Sequence, residues 1–135
     1  MKKILLFFVL LISTTALAKE FSSGDKKVNL IELYTSESCS SCPPAEKWLG
    51  NLKSSDKLFK NFIPLEFHVA YWNYLHWKDP FSKEAFSRRQ RDYNRVIKAG
   101  VYTPQVIING VDFRGWRGMS DKALAASLDL SLIHI

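Results

Sequence analysis

Two cysteines constrain this chain more than any other feature, because they are the only cysteines in 135 residues and are separated by two residues. Cys39 and Cys42 stand between an apolar stretch that predicts a buried strand and a segment with helical spacing. A disulfide across so short a loop restricts the unfolded chain by only about 2 kcal/mol, whereas stabilising disulfides in secreted proteins close longer loops. Redox chemistry or metal binding therefore explains the pair better than stabilisation of the fold, and an inert disulfide is the alternative.

The apolar pattern predicts an α/β domain with the element order βαβαββα. Residues 28–34 carry apolar side chains at both odd and even positions, which is typical of a central strand buried on both faces. The next elements are a helix with the apolar face Ala45, Trp48, Leu49 and Leu52 and a strand over residues 62–69. A helix of about 18 residues follows, which is capped by Asp79 and Pro80 and ends at Gly100. Two strands over residues 106–108 and 111–113, joined by Asn109 and Gly110, precede a last helix that begins at Ser120 and Asp121.

The amino terminus has the pattern of a secretory signal peptide. Lys2 and Lys3 precede an apolar run over residues 4–12, and Ala16-Leu17-Ala18 forms a small-residue cleavage site. The apolar run is far shorter than the roughly 20 residues that span a bilayer. We therefore expect residues 1–18 to be removed and the protein to be exported, and the length of the run excludes an integral membrane protein. A buried amino-terminal helix is the alternative.

The last six residues have the sequence expected of a translated sequencing adaptor. Residues 130–135, Leu-Ser-Leu-Ile-His-Ile, are the translation of CTG TCT CTT ATA CAC ATC, the mosaic-end adaptor of transposase-based sequencing libraries. We expect the native sequence to stop at about Asp129, which gives a domain over residues 19–129 with a truncated last helix. A natural final helical turn is the alternative.

The charge does not predict a nucleic-acid binder. Removing Lys2 and Lys3 with the signal peptide takes the formal net charge from +6 to +4. Although several arginines crowd into residues 88–95, nucleic-acid binding also needs groups that read or stack on bases. A modest basic excess attracts anions only weakly.

The order strand, Cys-x-x-Cys, helix in a βαβ context predicts a thioredoxin-like redox site. The helix amino terminus favours the thiolate of Cys39, the nucleophile, and Cys42 then resolves the mixed disulfide. Pro43 and Pro44 disfavour helical backbone at the residues before them. The helix should therefore begin after Cys42 and lower the Cys39 pKa less than in strong oxidants.

Longer motifs strengthen this interpretation. They are residues 32–45, Glu-Leu-Tyr-Thr-Ser-Glu-Ser-Cys-Ser-Ser-Cys-Pro-Pro-Ala, residues 68–81, His-Val-Ala-Tyr-Trp-Asn-Tyr-Leu-His-Trp-Lys-Asp-Pro-Phe, the pair Arg89-Gln90, and residues 101–105, Val-Tyr-Thr-Pro-Gln. Together they resemble a family of secreted, thioredoxin-like bacterial proteins catalogued as a domain of unknown function. The resemblance implies a thioredoxin-like fold with a central mixed sheet flanked by helices, and no established reaction. Ala70 stands where the family usually has aspartate, and Ser38 where many relatives have tryptophan.

The resemblance also implies roles for three residues. Thr103-Pro104 matches the superfamily's cis-proline, where the residue before the proline offers backbone groups to an extended substrate; a trans proline opening a strand is the alternative. Glu32 resembles the buried carboxylate that relays a proton to or from the second cysteine. Its spacing from Cys39 is one residue longer than usual, and a solvent-facing edge residue is the alternative.

His68 lies at the carboxyl end of the second predicted strand, the edge of the sheet where ligand sites collect. It is a candidate to polarise the thiol, or to complete a Cu(I) site with both cysteines, since thiolate and imidazole ligands suit that ion. A structural histidine bonded to its own loop is the alternative. The nearby Tyr71, Trp72, Tyr74 and Trp77 line a peptide-binding surface or cap the core.

The sequence as a whole favours a periplasmic thiol–disulfide oxidoreductase that acts on protein thiols and disulfides without a cofactor. The alternatives are a Cu(I) carrier that uses Cys39, Cys42 and His68, and a thioredoxin-like binding module without catalysis.

Overall fold

The computed structural model describes residues 22, 24, 25 and 27–130, so the predicted signal peptide and residues 131–135 lie outside the described part. The elements follow the predicted order: β1 Asn29–Thr35, α1 Pro43–Asn51, β2 Phe62–His68, α2 Glu84–Ile97, β3 Gln105–Ile108, β4 Val111–Asp112 and α3 Asp121–Leu130. A short 3-10 turn, Leu52–Ser54, extends α1. None of the described helices is long and apolar enough to span a membrane.

The strands form one mixed sheet in the order β2-β1-β3-β4. Strand β1 pairs in parallel with β2 and antiparallel with β3, so that Glu32 in β1 lies between Leu65 and Ile107. This sheet with its flanking helices confirms the predicted α/β architecture and is compatible with a thioredoxin-like fold. The predicted burial of the first strand on both faces is also confirmed.

The two faces of β1 meet different helices because successive side chains of a strand point to opposite faces. Ile31 and Leu33 are fully buried in a cluster that includes apolar side chains of α1 and α3. Tyr34 is fully buried in a second cluster, against which Tyr93 and Ile97 of α2 pack. Helices α1 and α3 therefore cover one face of the sheet, and α2 covers the other.

The predicted hairpin between β3 and β4 is confirmed. Asn109 and Gly110 have φ angles of 50° and 82°, the positive values that a two-residue hairpin turn of this type requires. The Asn109 side chain also accepts a hydrogen bond from the Leu30 amide at 2.9 Å and donates one to the Asn29 side chain at 2.7 Å. The turn is thereby attached to the start of β1.

The predicted amino-terminal boundary of the second long helix is wrong. Helix α2 begins at Glu84, and Asp79 lies in the preceding loop. The Lys83 amide donates to the His68 carbonyl at 3.1 Å, and Lys83 has extended backbone, with φ −135° and ψ 139°. Because this bridge to the end of β2 holds Lys83 extended, the helix cannot start earlier.

Replacing Leu33 tests the β1 core. We expect Leu33→Ala to lower the free energy of unfolding by about 2–5 kcal/mol, because it removes a fully buried side chain and leaves a cavity. Val96→Ala is the control, since Val96 is 80% exposed, and should change stability by no more than about 0.5 kcal/mol. Urea titration of both variants measures this, and equal effects would contradict the assigned core.

Candidate active site

The cysteine pair lies in the tight turn that connects β1 to α1. The Cys39 amide donates to the Ser36 carbonyl at 3.0 Å, and the Cys42 amide donates to the Cys39 carbonyl at 3.2 Å. Cys39 and Cys42 form a disulfide. Cys42 is fully buried, whereas Cys39 is 7% exposed. Of the two cysteines, Cys39 is therefore the residue that keeps some contact with solvent.

Helix α1 begins directly after the pair, at Pro43, as predicted from the two prolines. Pro43 and Pro44 have no amide hydrogen to offer. The next two amides, of Ala45 and Glu46, both donate to the Cys42 carbonyl, at 2.9 and 3.2 Å. The first turn of α1 therefore has no free amide from these residues to direct at the Cys39 sulfur.

Thr103 meets the cysteine pair from the segment before β3. The Thr103–Pro104 peptide bond is cis, as the resemblance implied. The Thr103 hydroxyl donates to the Cys39 sulfur at 3.3 Å. The Ser41 hydroxyl lies 3.5 Å from both the Cys39 sulfur and the Thr103 carbonyl oxygen, at the limit of hydrogen bonding. Residues 64 positions apart thus form one site.

Trp72 supports Thr103 from the loop after β2. Its indole N–H donates to the Thr103 hydroxyl oxygen at 2.8 Å. The indole packs against the rings of Tyr71 and Tyr74, with centroid distances of 5.8 and 6.2 Å. The aromatic residues of this loop are therefore connected to the disulfide through the Thr103 hydroxyl group.

Asp79 organises the loop between β2 and α2. Its buried carboxylate accepts hydrogen bonds from the Glu37 amide at 2.9 Å and the Phe81 amide at 2.9 Å, and it lies 2.7 Å from the His68 ring. Burial alone would raise the pKa of this carboxyl group, but these hydrogen bonds lower the pKa below its ordinary value. Asp79 thus joins the loop both to β2 and to the turn before the cysteines.

A second contact between the same segments lies closer to solvent. The Trp77 indole donates to the Glu37 carboxylate at 2.8 Å, and the Ser38 hydroxyl donates to the Trp77 carbonyl oxygen. Trp77 is nevertheless 59% exposed, and Tyr74 is 75% exposed. Aromatic surface therefore flanks the turn that carries Cys39.

Glu32 lies on the α2 face of β1, together with Tyr34. Its Oε1 atom accepts from Arg89 of α2 at 2.7 Å and lies 3.4 Å from the Tyr34 hydroxyl. Its Oε2 atom is buried without a hydrogen-bond partner. Among the described residues, neither cysteine is bonded to Glu32, because α1 lies on the opposite face. The predicted alternative of a solvent-facing edge residue is wrong, since Glu32 is fully buried in the central strand.

His68 ends β2 as predicted, but it is not bonded to the cysteines. Its ring contacts Asp79 at 2.7 Å and Glu66 at 3.7 Å, which agrees with a histidine bonded to its own loop. Within residues 27–130, no group of three or more His, Cys, Asp and Glu side chains is arranged to hold a metal ion. The structure therefore does not assemble the predicted Cu(I) ligands Cys39, Cys42 and His68.

The roles of Asp79 and Trp72 are not predicted by the sequence patterns. A proline after Asp79 is typical of a helix cap, yet an aspartate in a turn also accepts from the amide two residues later, as Asp79 does from Phe81. Trp72 stood among four aromatic residues, and its bond to a threonine 31 positions away has no local signal.

Comparison with known proteins identifies a family. A family model described as "Protein of unknown function (DUF1223)" matches residues 30–131, which include β1 from Leu30 onward, both cysteines, the loop after β2 and Thr103–Pro104. No match was found among curated proteins.

One solved structure is similar to this chain. It is the X-ray crystal structure of protein AGR_C_4864 from Agrobacterium tumefaciens, with 33% sequence identity and a TM-score of 0.65. The similarity covers 86% of this chain and 48% of that chain. This chain therefore spans about half the length of that relative.

Replacing Asp79 should weaken the fold and change its response to acid. Because the folded-state pKa of Asp79 is lowered, its contribution is present above its ordinary pKa and is lost as pH falls from about 4 through the folded value. We expect Asp79→Asn to lower the free energy of unfolding at pH 7 by about 1.5–3 kcal/mol, the range for a hydrogen bond to a charged group.

Urea titrations between pH 7 and pH 3 check this, and the difference from the parent should shrink below about pH 4. Asp56→Asn is the matched control, because the Asp56 carboxylate is 81% exposed. A difference that stays constant with pH, or an equal effect of the control, would contradict the role of Asp79.

Proposed function

The chain belongs to the DUF1223 family of proteins of unknown function, and we propose that its domain exchanges thiols and disulfides through Cys39 and Cys42. The observation that carries the proposal is the contact between Cys39 and Thr103: the Cys39–Cys42 disulfide lies against the hydroxyl group of a residue 64 positions away. A disulfide that served only to stabilise the chain would need neither the short loop nor this contact. Because Cys39 is 7% exposed and Cys42 is fully buried, we assign attack to Cys39 and resolution to Cys42.

The exchange needs only the two sulfurs and a substrate with a pair of thiols. A substrate thiolate attacks the Cys39 sulfur, the Cys39–Cys42 bond breaks, and Cys42 leaves as a thiolate that takes up a proton. The second substrate thiol, after losing its proton, attacks the first substrate sulfur and releases Cys39. The substrate is thereby oxidised by two electrons to a disulfide, and the cysteine pair is reduced. The reverse steps reduce a substrate disulfide.

The surroundings of Cys39 favour a polypeptide substrate. Tyr74 and Trp77 are exposed aromatic side chains in the loop that also contacts Thr103 and Glu37, and aromatic rings offer large contact areas to a peptide. Thr103 and Pro104 are assigned to hold the substrate backbone beside Cys39, as in the thioredoxin-like proteins that this chain resembles. Glu32, held by Arg89, is assigned to the attachment of α2 to the sheet rather than to proton relay.

The proposal includes an extracytoplasmic location, which rests on the signal-peptide pattern of residues 1–18. An oxidising compartment such as the bacterial periplasm lets a cysteine pair cycle between dithiol and disulfide. Protein thiols and disulfides in that compartment are then the substrates. The amino-terminal residue of the protein recovered from the periplasm, determined by mass spectrometry, should be Lys19.

Cysteine variants test the exchange reaction itself. We expect the parent to catalyse repeated reduction of a disulfide-linked peptide by a small thiol, and Cys39→Ser to lose this activity. Cys42→Ser should stop after forming one mixed disulfide between the peptide and Cys39, because the resolving thiol is absent. Mass spectrometry of the quenched reaction identifies that adduct.

Ser40→Ala is the control, since it changes an exposed residue between the cysteines and should keep full turnover. Turnover by Cys39→Ser equal to that of the parent would refute the proposed function. A mixed disulfide on Cys42 in the Cys39→Ser variant, formed as fast as the one on Cys39, would reverse the assigned roles.

A further inference from the structure

We propose that Trp72 positions the Thr103 hydroxyl as a hydrogen-bond donor to Cys39 and thereby stabilises the Cys39 thiolate of the reduced protein. The inference rests on the proposed exchange function, because it concerns the attacking sulfur of that reaction. It adds a positioning residue outside the Cys-x-x-Cys turn and outside the cis-proline segment.

The Cys39 thiolate needs a donor that helix α1 does not provide. A helix amino terminus usually stabilises a nearby anion through free amides. In this chain the first two helical residues are prolines, and the Ala45 and Glu46 amides are bonded to the Cys42 carbonyl. Two side-chain hydroxyl groups of the described residues contact the Cys39 sulfur instead, and the Thr103 hydroxyl, at 3.3 Å, is closer than the Ser41 hydroxyl at 3.5 Å.

A hydroxyl group rotates freely and is both donor and acceptor, so its direction depends on its neighbours. The Trp72 indole N–H is only a donor, and at 2.8 Å it occupies an acceptor position of the Thr103 oxygen. The Thr103 hydrogen must then point to another group, and the Cys39 sulfur lies within reach. Trp72 thus selects the rotamer in which Thr103 donates to sulfur.

The Tyr71 and Tyr74 rings pack against the indole and favour this position of its N–H group. Tyr71 is also the competing acceptor for the Thr103 hydrogen. Its own hydroxyl donates to Gln90 at 3.0 Å, and burial raises the pKa of Tyr71 to about 12, so the phenol is neutral at neutral pH. A neutral phenol attracts the hydrogen less than a thiolate does, since hydrogen bonds to charged acceptors are the stronger ones.

The other ionisable groups of the surrounding elements are engaged elsewhere. Glu37 accepts from Trp77, Glu46 of α1 accepts from Thr35, and Asp79 is paired with His68. Cys42 is also a titratable neighbour, and its replacement by serine leaves Cys39 as the only thiol of the chain. The titration of Cys39 can then be followed alone.

The test measures the pH midpoint of Cys39 alkylation by iodoacetamide in the Cys42→Ser background. Thr103→Val should raise the midpoint by about one pH unit, a tenfold loss of thiolate, as expected for removal of a hydrogen bond to a charged group. Trp72→Phe should raise it in the same direction by about half a unit to one unit, because the hydroxyl remains but loses its orientation. Thr103→Ser, which keeps the hydroxyl, should restore the parent midpoint.

Two further variants separate positioning from a general effect on the fold. Trp77→Phe is the matched control, because it removes another indole N–H from the same loop, one bonded to Glu37 and not to Thr103, and it should leave the midpoint unchanged. In the Thr103→Val background, Trp72→Phe should add no further shift, since coupled residues are not additive. Far-ultraviolet circular dichroism at each pH confirms that every variant is folded.

An unchanged midpoint in Trp72→Phe, or the same shift in the presence of Thr103→Val, would overturn the inference. An unchanged midpoint in Thr103→Val would also overturn it and would identify Tyr71 as the acceptor of the Thr103 hydrogen. The midpoint is measured without a protein substrate. Absence of peptide turnover would therefore refute the proposed function, whereas the alkylation midpoints test the hydrogen bonds of Trp72 and Thr103 independently.

Discussion

The position of β1 between β2 and β3 determines where every part of the site lies. The strand pairs on both sides, so its side chains have only the two faces of the sheet to occupy. Ile31 and Leu33 pack toward α1 and α3, whereas Tyr34 packs toward α2, and the chain leaves the strand directly into the turn that holds Cys39. Burial of β1 thus fixes the cysteine turn at the carboxyl end of the strand, where the segment before β3 and the loop between β2 and α2 contact it.

The loop between β2 and α2 completes the site by two separate connections. Asp79 joins the loop to the Glu37 amide and to His68, and Trp72 joins it to Thr103. The Asp79 carboxylate is buried and forms hydrogen bonds and an ion pair. Trp72 binds a single hydroxyl group, that of Thr103, which lies beside the Cys39 sulfur. Because prolines occupy the start of α1, we propose that the chemistry of Cys39 depends on this loop more than on the helix.

Local patterns predicted the features that local interactions determine. The apolar strand around Leu33, the helix start at Pro43 and the Asn109-Gly110 hairpin were all recognisable from spacing and turn chemistry, and the resemblance to a family supplied the cis bond before Pro104. The contact between Glu32 and Arg89 was not predictable, since a strand with apolar residues at both odd and even positions does not show which face packs against α1. The role of Asp79 depends on contacts with a residue 42 positions away, which helix-capping rules do not consider.

The reduction potential of the Cys39–Cys42 pair tests the central claim most directly. The protein is equilibrated in glutathione buffers over a range of thiol to disulfide ratios, quenched with a thiol reagent, and the oxidised fraction is determined by mass spectrometry. A redox-active pair should titrate reversibly in one two-electron transition at a potential above about −300 mV, where structural disulfides resist glutathione. A pair that stays oxidised at every ratio would be an inert disulfide and would contradict the account.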